Sequence, residues 1–185
     1  EKGENAQAEQ LISEVAGAIS KMDSIFEPQR VEAIASLEQF GTKPVAVSRI
    51  AAGNDAVYLL DVNSAQVIAV RSNGAEPQIV FSENKDEKRA KPIAIAHLDE
   101  SDLGGPVLLI ADAANKLWMY SRVDGLRTVS FAAPANLAIS DITVNGPDLF
   151  VLDAGQSTIY RYLQTPQGFP NAPLAALKNS DLGNA

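Results

Sequence analysis

Side chains with catalytic or ligand-binding potential are few in this chain and far apart. Among 185 residues there is no cysteine and one histidine, His97. This excludes disulfides, thiolate metal sites, cysteine nucleophiles and any metal site built from several histidines. A serine–histidine arrangement would have to use His97. Asp99, Glu100 and Asp102 follow it closely, and carboxylate oxygens suit hard cations. A solvated acidic loop explains the same cluster. Asp141 is a second isolated acid with the residue type for a metal or proton-transfer role. Asp61, Asp112 and Asp153 each close an apolar run. An aspartate there accepts hydrogen bonds from the next backbone amides, forming an Asx-turn, which explains all three without catalysis. The sequence holds no glycine-rich phosphate loop, no G-x-S-x-G elbow, no H-E-x-x-H and no EF-hand loop. Gly104-Gly105-Pro106 reads as a turn into a strand. No cofactor is expected from these residues, and no catalytic or metal-binding set.

Charge narrows the partners further. The formal net charge of −8 argues against nucleic acid and anionic membrane surfaces as partners. It is concentrated in residues 1–40, where Lys2, Lys21 and Arg30 face eight acids. No apolar run reaches the roughly 20 residues that span a bilayer. The chain starts at Glu1 without a signal peptide, which is the expectation for a mature, trimmed or excised segment.

Two periodicities organise the chain. In residues 6–40, Leu11, Ile12, Val15, Ile19, Met22 and Phe26 recur every three or four positions, which predicts one helical stripe. Pro28 suits the first turn of a second helix, with Val31, Ile34, Ala35 and Leu37 as its stripe and Gly41 as terminator. Residues 1–41 therefore read as a helical hairpin, either packed on the following domain or used for partner binding or oligomerisation.

From residue 44 the pattern becomes short β-prone runs between polar turns. Val57–Asp61, Val107–Asp112 and Leu149–Asp153 each end in aspartate, pass a polar turn, and continue into a second run (67–70, 117–120 and 159–162). The aspartates lie 51 and 41 residues apart in sequence, the spacing of an internal repeat. Short strands precede each unit (45–50, 93–97, 139–144), and two units have a plausible fourth (78–81 and 128–131). Four strands per 40–50 residues is one β-propeller blade, and the aspartate-closed run is apolar on both faces because neighbouring blades bury both.

Residues Tyr58 to Asp61, Leu109 to Asn115 and Phe150 to Asp153 resemble the NHL-like and YVTN-type bacterial propellers over roughly residues 44–165. The unit from Asp141 to Tyr162 is the most typical. The resemblance implies a binding scaffold, and weakly an extracytoplasmic location in the envelope or secreted. Some six-bladed relatives are lactonases or hydrolases with a metal at the channel, but no matching acidic ligand set stands here.

The expected architecture is mainly β: a helical hairpin over 1–41, then about three four-stranded blades within 42–185 (44–84, 90–133 and 137–178). Four to eight blades close a propeller. The expectation is an incomplete part of a larger propeller, a half-propeller completed by another copy, or an open sheet or sandwich. The preferred function is a non-catalytic scaffold binding another protein or further copies of itself. The alternatives are a hydrolase- or lactonase-type enzyme completed by blades outside this segment, with His97 and Asp141 as its channel residues, and a structural subunit of an envelope or extracellular assembly. The mixed-charge run 82–91 reads as an exposed connection or a docking loop. Trp118, Tyr120, Tyr160 and Tyr162 alternate on third strands and are assigned to packing, with Tyr120 and Tyr162 as candidate surface aromatics.

Overall fold

The computed structural model describes residues 9–15, 32–37, 43–99 and 101–177. The chain falls into two units, Glu1–Ala33 and Ile34–Ala185. In the first, residues 9–15 are helical and leave Leu11, Ile12 and Val15 exposed. Ile19, Met22, Phe26, Pro28, Val31 and Gly41 lie outside the described residues. Residues 32–37 have no regular secondary structure, so the second helix, expected from Pro28 to the terminator Gly41, is not formed across them. Leu37 instead packs on a cluster of Leu59, Ile68 and Val70. A helix this short gains little by itself, and burial of one leucine decides the local conformation.

The second unit is built from strands. β1 (Val47–Ala52), β2 (Ala56–Asp61), β3 (Gln66–Arg71) and β4 (Gln78–Ser82) form an antiparallel sheet in sequence order. β5 (Pro92–Leu98), β6 (Val107–Asp112), β7 (Leu117–Ser121) and β8 (Gly125–Thr128) form the second. β9 (Ser130–Phe131) leaves that sheet. β10 (Asp141–Asn145), β11 (Asp148–Asp153), β12 (Thr158–Tyr162) and β14 (Leu174–Leu177) form the third, and β13 (Gly168–Phe169) pairs in parallel with β9. Three consecutive four-stranded meanders, stacked through their first strands β1, β5 and β10, are the arrangement of propeller blades.

The strand pattern explains the stacking. Successive side chains of β6 point to opposite faces. Leu108 and Ile110 enter a core shared with the first sheet, through Tyr58, Leu60, Val67 and Phe81. Val107, Leu109 and Ala111 enter a core shared with the third, through Ile142, Leu149, Val151 and Tyr162. All five of these β6 side chains are buried, so a strand between two sheets must be apolar on both faces.

The outer faces of the first and third sheets differ. On the first, Leu59, Ile68 and Val70 are buried beneath Leu37 and Val45, although Ile50 and Ile79 at its margins stay exposed. On the third, Phe150, Leu152 and Ile159 are half-buried, and Leu174 and Leu177 are exposed. Arg161 there donates from Nε to Asp148 Oδ2 at 2.7 Å.

Two strand assignments differ from expectation. The fourth strand of the second sheet is β8 and not 128–131, because Gly125, at φ +72°, allows a tight turn that returns the chain at once against β7. Residues 130–131 then pair with β13, where a side chain on Gly168 would meet Val129 Cγ1 at 2.4 Å and Ser130 O at 2.7 Å. β14 had no counterpart in the sequence reading. Its run, Leu-Ala-Ala-Leu, lacks β-branched residues and is exposed throughout.

The run 82–91 is ordered. Asn84 pairs with Arg89, Asn84 Oδ1 accepts from the Asp86 and Glu87 amides, and the Arg89 guanidinium lies 5.8 Å from the Phe81 ring centroid. Among the described residues no helix is long and apolar enough to cross a membrane.

Candidate functional site

Each sheet has two ends. At one end the second strand turns into the third, and there the three aspartates lie fully buried. Asp61 accepts from Ala46 N–H and Asn63 N–H, both at 3.0 Å, and from Gln66 Nε2 at 3.1 Å. Asp112 accepts from Ala90, Ala114 and Lys116 amides and from Trp118 Nε1 at 2.8 Å. Asp153 accepts from Ala138 and Gln156 amides and from Gln156 Nε2. In every sheet the carboxylate joins the turn after the second strand to the chain entering the first. Burial alone would raise the Asp61 carboxyl, but hydrogen bonds from Ala46, Ser64, Asn63 and Gln66 outweigh it and hold its pKa below the ordinary value.

At the other end the first strand turns into the second. Here a cleft of about 840 Å³ opens between the second and third sheets. His97 and Leu98 come from the end of β5, and Asp99, Ser101 and Asp102 from the β5–β6 loop. Val144 and Asn145 come from the end of β10, Gly146 and Pro147 from the β10–β11 turn, and Gln164 follows β12. The long loop is held by Ser101, which donates to Gly105 O at 2.7 Å and accepts from Leu103 N–H, and by Arg127, which donates to Leu103 O. Gly104 and Gly105, both at φ +107°, let it reverse into β6. The two sides of the cleft are joined by Asp102 N–H donating to Gln164 Oε1 at 3.2 Å.

His97 lies at the margin of the cleft, with its ring turned toward the first sheet. Its side chain is 4% exposed. It stacks on Tyr58 at 5.7 Å between centroids and packs against Gly53, where a Cβ would come within 2.5 Å of Nε2. Gly53 therefore makes room for the ring. Nδ1 approaches Asp99 Oδ1 at 3.2 Å but outside hydrogen-bonding alignment, so this buried nitrogen has no hydrogen-bond partner. Gln164 Nε2 is buried and unpartnered in the same way.

The structure does not bring His97 and Asp141 together as one channel site. Asp141, on β10, is ion-paired with Arg49 on β1: Nε and Nη2 each lie 3.1 Å from Oδ2. The pair spans from the first sheet to the third. An acid neutralised by a guanidinium is a poor metal ligand. Asp99 and Asp102 reach the cleft, whereas Glu100 lies outside the described residues. Among the described residues no group of three or more His, Asp or Glu side chains could hold a metal ion. Tyr162 is buried, with its hydroxyl donating to Ala132 O at 3.3 Å, so it is a core residue and not a surface aromatic. Arg49, Asn145 and Gln164 had no signal in the sequence. Their roles depend on which sheets become neighbours.

No protein-family model matches the chain, and no curated protein matches it significantly. Solved structures do. A catalytically inactive form of virginiamycin B lyase from Staphylococcus aureus, with quinupristin, is similar at 17% identity and a TM-score of 0.51, over 72% of this chain and 42% of the lyase. The selenomethionine-substituted lyase is similar at 16% identity and a TM-score of 0.50, over 71% of this chain and 42% of that one. PorZ, a surface component of the type-IX secretion system of Porphyromonas gingivalis, is similar at 16% identity and a TM-score of 0.48, over 71% of this chain and 16% of PorZ. The chain thus spans less than half the length of the solved structures it resembles, and the likeness is one of β-propeller-type fold.

Proposed function

We propose that this chain is a non-catalytic propeller-type scaffold that recognises a partner protein through the cleft beneath the β5–β6 loop. One observation carries the reading. Two successive sheets contribute strand ends and loops to a single concavity of about 840 Å³, the kind of position at which a rigid scaffold presents a binding surface. Gln164, tied across it to the Asp102 amide, keeps an Nε2 without a hydrogen-bond partner, and an unsatisfied polar group beside a cleft points to a ligand. The arrangement also favours binding over turnover. His97 contacts an acid but no candidate nucleophile, and Asp141 is engaged by Arg49. An extracytoplasmic location belongs to the same reading and rests on the family resemblance alone.

The test compares wild-type protein with Asn145→Trp, which fills the cleft from an exposed position. Both are immobilised and exposed to native lysate. The reading expects a discrete partner retained by wild type and lost by the variant, with equal thermal midpoints. Equal retention contradicts it.

A further inference from the structure

We infer that Asn73 is a site of spontaneous self-modification: the Gly74 backbone nitrogen displaces the Asn73 side-chain nitrogen, and water opens the resulting ring to isoaspartate or aspartate.

The chemistry sets the demands. The Gly74 nitrogen, on losing its proton, attacks Asn73 Cγ. The new C–N bond closes a five-membered succinimide, and the side-chain nitrogen leaves as ammonia. Water then breaks one of the two ring C–N bonds. Cleavage at the side-chain carbonyl gives aspartate, and cleavage at the main-chain carbonyl gives isoaspartate. One water is taken up and one ammonia is released, with no oxidant or reductant. The step needs a following residue without a side chain, a free backbone nitrogen, and a side-chain carbonyl held close to it.

The sequence contains two Asn-Gly pairs, Asn73-Gly74 and Asn145-Gly146. Both asparagines are exposed, so exposure does not separate them. Asn73 lies in the connection between β3 and β4, where residues 74–77 have no regular structure. Gly74 N–H donates to no protein group among the described residues, and a side chain on Gly74 would meet nothing within 4 Å. Asn73 Oδ1 accepts from Ala75 N–H at 3.1 Å. That hydrogen bond folds the side chain back along the Gly74 peptide as an Asx-turn. It also places a donor on the oxygen that becomes negative as Gly74 attacks, which is the arrangement of an oxyanion hole. Asn145 differs on each count. It closes β10 in register with Asp148, and the chain reverses through Gly146 and Pro147 alone. The ladder restrains the backbone rotation that ring closure requires, and no amide donates to the Asn145 side chain among the described residues. The fold therefore singles out Asn73 from two pairs that are alike in sequence. Its product places a new carboxylate near Glu76, taking the formal net charge from −8 to −9, and isoaspartate adds one methylene to the main chain ahead of β4.

The test incubates the full chain in mildly alkaline buffer, native and in urea, and follows both asparagine-containing peptides by mass spectrometry with isoaspartate detection. In the native chain the Asn73 peptide should gain about one dalton about tenfold or more faster than the Asn145 peptide, as a difference in positioning alone allows. In urea the two rates should converge, because neither turn then persists. Asn73→Gln, whose longer side chain cannot close the five-membered ring, should remove the more acidic species on isoelectric focusing, and Asn145→Gln should leave it. Asn145 reacting as fast as Asn73 in the native chain overturns the inference. So does a rate ratio unchanged in urea, or a native Asn73 that stays intact while the urea-unfolded chain is modified.

Discussion

The two ends of each blade treat their polar groups differently. Where the second strand meets the third, Asp61, Asp112 and Asp153 are buried and each accepts three or four hydrogen bonds from its own blade. Buried side-chain nitrogens without a hydrogen bond occur at both ends: His97 Nδ1 and Gln164 Nε2 where the first strand meets the second, and Arg89 Nε in the turn beside Asp112. Asp99 and Asp102 line a cleft where the first strand meets the second. A saturated carboxylate fastens backbone to backbone and has no capacity left for a ligand. An orphaned donor is destabilising until something reaches it. The end with the three saturated aspartates fastens the fold, and the end that opens into the cleft is the one we propose for recognition.

Breaking the saturated end should have the largest effect. Asp112→Ala leaves three part-buried amides and the buried Trp118 indole N–H without their acceptor. It should destabilise by about 3–5 kcal/mol, read by urea unfolding followed through tryptophan fluorescence. A loss below about 1 kcal/mol would mean that the turn aspartates are dispensable.

The pH dependence separates the groups of the fold more finely. The Asp61 carboxyl has a lowered folded pKa, so its stabilisation is present above the ordinary value of 3.8 and is lost as pH falls through the folded one. Asp61→Asn should flatten the acid limb of the stability profile. Tyr162 has a raised folded pKa, first because it is buried and second because Tyr160 lies near. Its stabilisation is present below 10.0 and is lost as pH rises from there through the folded value. Tyr162→Phe should flatten the alkaline limb and lose about 1 kcal/mol at neutral pH with the hydrogen bond to Ala132 O. An unchanged alkaline limb would place the tyrosine's ionisation elsewhere.

The smallest effect on stability is expected at the cleft. Gln164→Leu removes an unsatisfied buried donor together with the hydrogen bond from the Asp102 amide, so the two nearly offset and stability should change by no more than about 1 kcal/mol. A loss of several kcal/mol would show that Gln164 belongs to the fold.

Much of this was legible in the sequence for a physical reason. Strand β6 is apolar at every position from Val107 to Ala111, and only burial on both faces explains that, so the stacking of blades could be read directly. The turn aspartates could be read too, because an Asx-turn acts within a few residues. The cleft could not. Gln164 meets Asp102 across 62 positions, and Arg49 meets Asp141 across 92. No local periodicity reports which residues such a distance brings together. The second helix failed for a related reason. A helical stripe ending at Leu37 is indistinguishable in sequence from an extended segment whose leucine covers Ile68.

The most direct test of the division between the two ends is paired photo-cross-linking. A photoreactive residue is placed at Asn145, in the cleft, or at Lys85, in the ordered turn at the saturated end, and each protein is irradiated in the same native lysate. The account predicts a discrete protein adduct from position 145 and none from position 85. An adduct from position 85 alone, or equal adducts from both, would contradict it.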